Sequence, residues 1–460
     1  MCRLPAVPTE PIRLGPVLRM LVLLAFVVCS PKALSAFEQH AAHGGPVKGL
    51  ALSPDGRWMV STSFDYTAVL WSTADFSERR TLKGHLAAVN AAAFSPDGRY
   101  LVTAGDDRML CVWKLEDLLD EAMEPVPTVL SGHTAKVVHL AFSADGRRLA
   151  SSSWDHTVGL WSVPAFENEG FLSGHDAPVH AAFFSKDGRA LYSAGGDGHV
   201  RLWDVIDARY VRSLVDNGWG INVLAIDEDR DWLAYGTANG AMRSISLSGV
   251  GPSIDYLEEG SPVLSLALDR KTARVAVGNA EGRVLIADVG TGEIERDFRA
   301  VVGPVWGIAL MPGREVVFLA GLDDFVTRVP FDAPDVAVTT VVGRDRRFHP
   351  IGKLENGARQ FARKCSVCHS LDADGKRRAG PTLHRVMGRR AGAVSNYAYS
   401  AALAGAGLVW NEETIDALFR EGPDVLTPGS KMPIQRIRNA QDRRDLIDFL
   451  KSQAGDVVVN

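Results

Sequence analysis

The fold of most of this chain is decided by a unit that is clearest at residues 84–113, GHLAAVNAAAFSPDGRYLVTAGDDRMLCVW. The unit begins with Gly84-His85 and ends with Trp113, and apolar residues alternate with small or polar ones on both sides of the turn at 95–98 (SPDG). Such alternation is typical of β-strands, and a Pro-Asp-Gly turn is typical of a tight connection between antiparallel strands. The stretch therefore predicts a small antiparallel sheet.

The unit recurs between residue 37 and about residue 331 with a period near 42. Its four sharpest copies end in tryptophans that lie 42, 48 and 42 residues apart, namely Trp71, Trp113, Trp161 and Trp203. An aspartate precedes each tryptophan by six residues: Asp65, Asp107, Asp155 and Asp197. A histidine lies 28 residues before each tryptophan: His43, His85, His133 and His175. A hydroxyl residue lies four before each aspartate: Ser61, Thr103, Ser151 and Ser193. This period with these markers predicts propeller blades and resembles the WD-repeat family.

The repeat continues in degenerate form at 223–247, 263–288 and 305–331, which predicts an all-β propeller of seven blades over 37–335. Closing a propeller requires a strand shared between its ends. Residues 37–42 and 336–342 are both candidates, so 336–352 is either a linker or the closing strand. The His, hydroxyl, Asp and Trp set occurs four times, and buried polar groups need partners. We therefore interpret it as a hydrogen-bonded brace within each blade rather than as a catalytic group.

Beyond the repeats, residues 365–369 (CSVCH) form a motif with the residue types of a cofactor site. Two cysteines with two residues between them and a histidine directly after are typical of the attachment of a c-type haem. Each thiol can form a thioether to a haem vinyl group, and the imidazole can reach the iron. An iron–sulfur cluster needs about four thiolates, whereas the remaining cysteines are Cys2, Cys29 and Cys111. The motif predicts one covalently bound haem c, attached through Cys365 and Cys368.

The segment 353–460 around this motif has helical patterning, with Asn356, Asn411 and Asn439 as expected helix caps. It resembles mitochondrial-type class I cytochromes c, which are small all-α domains. The resemblance rests on six stretches: 380–384 (GPTLH), 388–390 (GRR), 397–400 (YAYS), 410–414 (WNEET), 428–432 (PGSKM) and 445–451 (DLIDFLK).

The resemblance implies the roles of the site residues. His369 and Met432 would be the two axial ligands of the iron, and a thioether opposite an imidazole raises the reduction potential. Pro381 would accept a hydrogen bond from the His369 ring through its carbonyl oxygen. The haem propionates would be bound by Arg389, Tyr399 and Trp410. Met387, the other methionine of the segment, is expected to be a packing residue.

The N-terminus has the features of a secretory signal peptide. Arg13 and Arg19 precede the apolar run 20–29, and residues 33–36 (ALSA) form a small-residue cleavage site. Ten apolar residues are too few to span about 30 Å of hydrocarbon. We expect residues 1–36 to be removed and the rest of the protein to be periplasmic, without a membrane span.

Charge is distributed unevenly along the chain. Residues 348–460 contain 17 Lys+Arg and 12 Asp+Glu, which gives a net charge of +5. Residues 37–347 contain 29 Lys+Arg and 42 Asp+Glu, which gives a net charge of −13. An acidic propeller can dock the basic domain within the same chain or recruit a separate basic partner. It is a poor ligand for nucleic acid.

We expect an exported mono-haem c-type cytochrome that carries single electrons between redox proteins. Those partners would dock through the propeller and the haem edge, and the chain would have no substrate turnover of its own. The alternative is a haem-containing subunit or fusion of a periplasmic oxidoreductase whose propeller contributes a substrate site. A haem sensor is less favoured, because two axial ligands leave the iron no open position.

Overall fold

A computed structural model describes residues 38–333, except 252, 300 and 302, and residues 354–453, except 367, 374–379, 396, 398, 429, 431, 433 and 434. The predicted signal peptide and the predicted linker or closing strand at 336–352 lie outside the described residues.

The first described region consists of seven four-stranded antiparallel sheets. Its 28 strands begin with β1 (Glu38–Ala41). The first two sheets comprise β2 (Val47–Leu52), β3 (Trp58–Ser63), β4 (Thr67–Ser72), β5 (Glu78–Lys83), β6 (Val89–Phe94), β7 (Tyr100–Gly105), β8 (Leu110–Lys114) and β9 (Thr128–Leu130), with helix α1 (Leu115–Leu119) between the last two. The next two comprise β10 (Val137–Phe142), β11 (Arg148–Ser153), β12 (Thr157–Ser162), β13 (Asn168–Ser173), β14 (Val179–Phe184), β15 (Ala190–Gly195), β16 (His199–Asp204) and β17 (Arg209–Asp216).

The degenerate repeats form three further sheets of the same kind. The fifth and sixth comprise β18 (Ile221–Asp227), β19 (Trp232–Thr237), β20 (Met242–Ser246), β21 (Ile254–Leu257), β22 (Val263–Asp269), β23 (Arg274–Asn279), β24 (Arg283–Asp288) and β25 (Ile294–Arg299). A 3₁₀ turn at Glu228–Arg230 connects β18 with β19. The last sheet comprises β26 (Val305–Leu310), β27 (Val316–Gly321), β28 (Phe325–Pro330) and β1.

The N-terminal segment closes the ring. Strand β1 pairs antiparallel with β28, with Glu38 opposite Arg328 and Ala41 opposite Phe325. The innermost strands β2, β6, β10, β14, β18, β22 and β26 contact one another in this order, and β26 contacts β2. The predicted seven-bladed propeller is therefore confirmed. Of the two candidate closing segments, the structure shows the first in that role.

The repeated polar set forms a buried brace in each of the first four blades. In blade 1, His43 Nε2 lies 2.7 Å from Ser61 Oγ, and the Trp71 indole donates to the same oxygen at 2.8 Å. His43 Nδ1 lies 3.3 Å from a carboxylate oxygen of Asp65. The same contacts recur in the next three blades. These hydrogen bonds bind the two ends of each repeat together, as the spacing predicted.

The second described region is helical. It contains α2 (Asn356–Lys364), α3 (Ala401–Ala404), α4 (Glu412–Glu421), α5 (Pro423–Leu426) and α6 (Ala440–Ser452). Together with the propeller it confirms the predicted multidomain class. No helix in the described parts of the chain is long and apolar enough to cross a membrane.

Two of the three predicted helix caps are confirmed. Asn411 accepts from the Thr414 amide at 2.8 Å in a capping box, and Asn439 accepts from the Gln441 amide at 2.8 Å. The prediction for Asn356 is wrong, because Glu355 holds the cap position without a side-chain cap bond. The amide of Asn356 instead donates to Asp442 at 2.8 Å and to Asp445, which joins α2 to α6.

The helical domain has its own hydrophobic core, built mainly from α2, α4 and α6. Leu446, Ile447 and Leu450 of α6 are at most 5% exposed, and Phe449 packs against Phe361 of α2 with ring centroids 5.5 Å apart. This packing surrounds a cavity that contains the CSVCH motif.

Candidate haem site

A cavity lined mainly by the helical domain has about 1100 Å³ of empty space, part of which is open to solvent. Cys365, Cys368, His369 and Met432 all line it. Most of its wall is apolar and comes from the core, including Leu383, Val386, Ile415, Leu418, Phe419 and Leu450. A concave, mainly apolar space with a few polar groups is typical of a cofactor site.

The two cysteines are presented by the end of helix α2. Cys365 is the first residue after the helix, and its amide donates to the Phe361 carbonyl at 2.8 Å. The amides of Cys368 and His369 both donate back to the Cys365 carbonyl, at 3.1 and 2.8 Å. The resulting turn brings both side chains and the imidazole to the same cavity. Cys365 is a buried thiol outside any disulfide, and its burial raises its pKa to about 12.

The ring of His369 is fixed by one hydrogen bond. Its Nδ1 lies 2.7 Å from the Pro381 carbonyl oxygen. Since a carbonyl only accepts, Nδ1 carries the proton, and Nε2 keeps the lone pair that a metal requires. Burial lowers the pKa of His369 and favours this neutral form. The carbonyl contact that the resemblance implied for Pro381 is present.

Gly380 lets the backbone approach the imidazole. A Cβ at this position would lie 2.6 Å from Nδ1 of His369 and 2.8 Å from Nε2. Real Cβ atoms do not approach other atoms so closely, so any larger residue would displace the ring or the loop. In the sequence, Gly380 stood out only as part of the stretch 380–384. The structure shows why a glycine is required there, since any side chain would collide with the His369 ring.

The two methionines of the domain differ in their relation to the cavity. Met432 lines it, whereas Met387 packs against the hydrophobic core and is absent from the cavity wall. This placement is consistent with the sequence-based choice of Met432 as the second ligand.

The three predicted propionate ligands, Arg389, Tyr399 and Trp410, all line the cavity. The guanidinium of Arg389 donates to the carbonyl oxygens of His384, at 2.9 Å, and Thr382, at 2.5 Å. It therefore also holds the loop that carries Pro381. Burial lowers the pKa of Arg389 and raises the pKa of Tyr399. Binding of propionates by these residues stays a prediction.

Nothing in the sequence indicated that a residue of the propeller forms part of the cavity wall. Tyr66 lines the same cavity, and its side chain is hydrogen-bonded to Tyr397 of the haem domain. Tyr397 in turn packs edge-on against Tyr399, with ring centroids 4.8 Å apart. Tyr66 follows the brace aspartate in a turn, with φ of 71°. The equivalent residues of the next blades are Arg108, His156 and Gly198. Because this turn position varies in type, the repeat gave no signal for it.

These observations fit haem c. The chain brings two cysteine side chains, a neutral imidazole with one available nitrogen and a thioether to an apolar cavity. Imidazole and thioether are the ligand types used by c-type cytochromes.

Comparison with known proteins agrees with this assignment. Residues 32–72, 76–114, 124–162 and 166–204 match the family described as "WD domain, G-beta repeat", and residues 354–454 match "Cytochrome c". The cytochrome c of Gibberella zeae is 38% identical over 100 residues, which are 22% of this chain and 93% of the relative. A cytochrome c homolog of Rickettsia prowazekii is 41% identical over 101 residues, 22% of this chain and 57% of the relative. The cytochrome c2 of Rhodomicrobium vannielii is 38% identical over 96 residues, 21% of this chain and 76% of the relative.

The fold and the site thus define a seven-bladed WD-repeat propeller fused to a haem-binding domain. Through that domain the chain belongs to the cytochrome c family, and the family implies a covalently bound haem c and an electron carrier.

Proposed function

We propose that this protein is an exported mono-haem cytochrome that carries single electrons and uses its propeller to dock redox partners. The observation that carries the proposal is the single CSVCH turn, whose His369 ring is held by Pro381 at the edge of an apolar cavity. A bound haem supplies reversible one-electron chemistry at its iron.

The residues of this chain would supply attachment, ligation and a dry environment. Cys365 and Cys368 would attach the group, and His369 and Met432 would hold its iron. The apolar walls exclude water, which stabilises a soft thioether ligand and limits side reactions.

Charge and contact support a docking role for the propeller. The propeller region has a net charge of −13, whereas the haem domain has a net charge of +5. Opposite charges steer association, and salt screens them. The hydrogen bond between Tyr66 and Tyr397 gives one specific contact between the two at the haem cavity. Periplasmic localisation rests on the N-terminal signal pattern and on the need for haem attachment outside the cytoplasm.

An optical redox titration of the purified holoprotein tests the carrier function. We expect one reversible transition that fits a single electron. In stopped-flow experiments, electron exchange with a basic redox protein should slow as ionic strength rises. Steady oxidation of a substrate by the isolated chain, abolished by substitutions in the propeller, would contradict the carrier function and favour the oxidoreductase alternative.

A pair of substitutions tests the role of the propeller at the haem edge. Tyr66→Ala removes the wall residue, whereas His156→Ala changes the equivalent turn of the third blade, which has a similar φ of 72°. We expect Tyr66→Ala alone to speed electron exchange with a small inorganic mediator, because it opens the cavity wall. Equal rates for both variants and the parent protein would contradict a contact at the haem edge.

A further inference from the structure

A ring of seven side chains lines the central channel of the propeller. In every blade the innermost strand has a register shift against its neighbour at the second strand position. Such bulges redirect a side chain out of the regular alternation. The seven residues at the shifts all line one channel, which has about 1320 Å³ of empty space including its open ends: Lys48, Asn90, Val138, His180, Asn222, Leu264 and Trp306.

Three polar members of the ring are occupied in binding the blades together. Each bonds the carbonyl oxygen that directly precedes the ring residue of the following blade. The Asn90 amide donates to Val137 at 3.0 Å, and the Asn222 amide donates to Val263 at 2.9 Å. The Nδ1 of His180 donates to Ile221 at 2.8 Å. These contacts have a structural role and leave little donor capacity for a ligand.

Lys48 is different. Its ammonium nitrogen lies 4.7 Å from the centre of the Trp306 ring, and no carboxylate lies within ion-pair distance of it among the described residues. A second lysine, Lys136, also lines the channel, with its ammonium nitrogen 3.4 Å from the centre of the Trp154 ring. Two tryptophan faces therefore hold the ammonium groups of two lysines that line the channel, in the manner of cation–π contacts.

The electrostatics of the channel favour an anion. Burial, and after it the nearby charge of Lys136, lower the pKa of Lys48 to about 8, although Asp106 opposes this. Asp106 itself accepts from the Asn90 amide at 2.8 Å. None of the described residues that line the channel is aspartate or glutamate. This basic channel is unexpected in a propeller region with a net charge of −13.

Trp154 also presents apolar surface to the channel, because its side chain is 44% exposed. A ligand that only carried charge would leave the exposed Trp154 ring in contact with water. From this combination we propose that the channel binds the carboxylate of an organic acid, with Lys48 and Lys136 on the carboxylate and Trp154 against its apolar body. This is a site separate from the haem and does not depend on electron transfer.

Isothermal titration calorimetry on the full-length holoprotein tests the site at constant ionic strength. Benzoate is the probe, benzamide is the uncharged control of equal shape, and sulfate is the inorganic control. We expect saturable binding of benzoate, at least tenfold tighter than either control. The natural carboxylate could belong to the C-terminus of a polypeptide or to a small organic acid, and an N-acetylated Ala-Phe dipeptide with a free carboxylate distinguishes the two. If the dipeptide binds more tightly than benzoate, the ligand is assigned as a polypeptide C-terminus. If it binds more weakly, the ligand is assigned as a small organic acid.

Substitutions assign the binding to the channel. Lys48→Gln and Lys136→Gln should each weaken benzoate binding about tenfold, because each removes a charge-assisted contact. Lys48→Arg should retain most of the affinity, and Lys114→Gln, at an exposed position at the end of β8, should have no effect. Thermal unfolding checks that the variants fold. Absence of saturable benzoate binding, equal binding of sulfate, or affinity unchanged in both glutamine variants would overturn the proposal.

Discussion

The Nδ1 of His369 donates a hydrogen bond to the carbonyl oxygen of Pro381 across 2.7 Å, and this bond fixes which ring nitrogen is available to a metal. The two residues are brought together by a loop whose own carbonyls are held by Arg389. Orientation of a ligating imidazole by a neighbouring carbonyl raises its basicity and limits its rotation. The loop would therefore support ligation of a haem iron by His369.

Gly380→Ala tests this close packing. The added Cβ would overlap the His369 ring, so we expect a weakened iron–imidazole bond and a lowered thermal stability of the holoprotein. The measurement is the visible absorption spectrum during heating, which reports loss of the native ligand set. Gly260→Ala, where a Cβ would meet nothing within 4 Å, is the matched control. A spectrum and melting curve like those of the parent protein would show that the loop adapts without cost.

Met432→Ala should remove the weak long-wavelength absorption band that marks sulfur ligation of ferric haem. It should also lower the reduction potential, because a thioether ligand favours ferrous iron. Met387→Ala is the control, since Met387 packs outside the cavity wall. If Met387→Ala removes the band and Met432→Ala retains it, the ligand assignment is wrong.

Ser61→Ala tests the brace of the first blade. It leaves the Trp71 indole and His43 Nε2 without their shared buried partner. An unsatisfied buried polar group costs about 1–3 kcal/mol, so the free energy of unfolding of the propeller should fall by roughly that amount or more. Urea unfolding followed by far-UV circular dichroism measures it. Ser131→Ala, at an exposed position, should change the free energy of unfolding by less than about 0.5 kcal/mol.

The propeller should lose stability in acid through its brace aspartates. Burial acts to raise the pKa of Asp65, but the charge of His43 and the hydrogen bonds from His43, Thr67 and the Gly44 amide outweigh it and lower the pKa from 3.8 to about 2. A carboxyl whose pKa is depressed by folding stabilises the protein above the unfolded value and loses this contribution as pH falls through the folded value. We expect Asp65 to contribute about 2 kcal/mol near neutral pH.

Urea unfolding between about pH 5 and pH 2 tests this expectation, with most of the loss below pH 4. Asp65→Asn is the control, since it removes one of the titrating groups and should flatten the pH dependence. A free energy of unfolding that stays constant over this range would show that the brace carboxylates are not preferentially ionised in the folded state.

The local parts of the architecture were predictable from the sequence. Each brace joins residues at most 28 positions apart, so a fixed spacing of His43, Asp65 and Trp71 is enough to define a blade. The haem motif was predictable for the same reason, because its two cysteines and its histidine lie within five consecutive residues. The sequence did not decide which segment closes the ring, because residues 37–42 and 336–342 were both candidates and only the pairing with β28 distinguishes them.

The features that could not be predicted depend on contacts between distant segments. Lys48 and Trp306 meet because ring closure brings the first and last blades together. Tyr66 reaches the haem cavity from a turn whose residue type varies between blades. Asn356 looked like a helix cap, but its amide bonds to α6 instead. In each case a long-range partner decided the role, and no local pattern indicates such a partner.

The central claim is that one haem is covalently attached through Cys365 and Cys368, and intact mass spectrometry after acid–acetone extraction tests it most directly. The exported protein should have the mass of the processed chain plus one haem, and the Cys365→Ser, Cys368→Ser double variant should lose the haem on extraction. Haem retained by the double variant would contradict the account, as would a mass of the exported protein that corresponds to no haem or to two haems per chain.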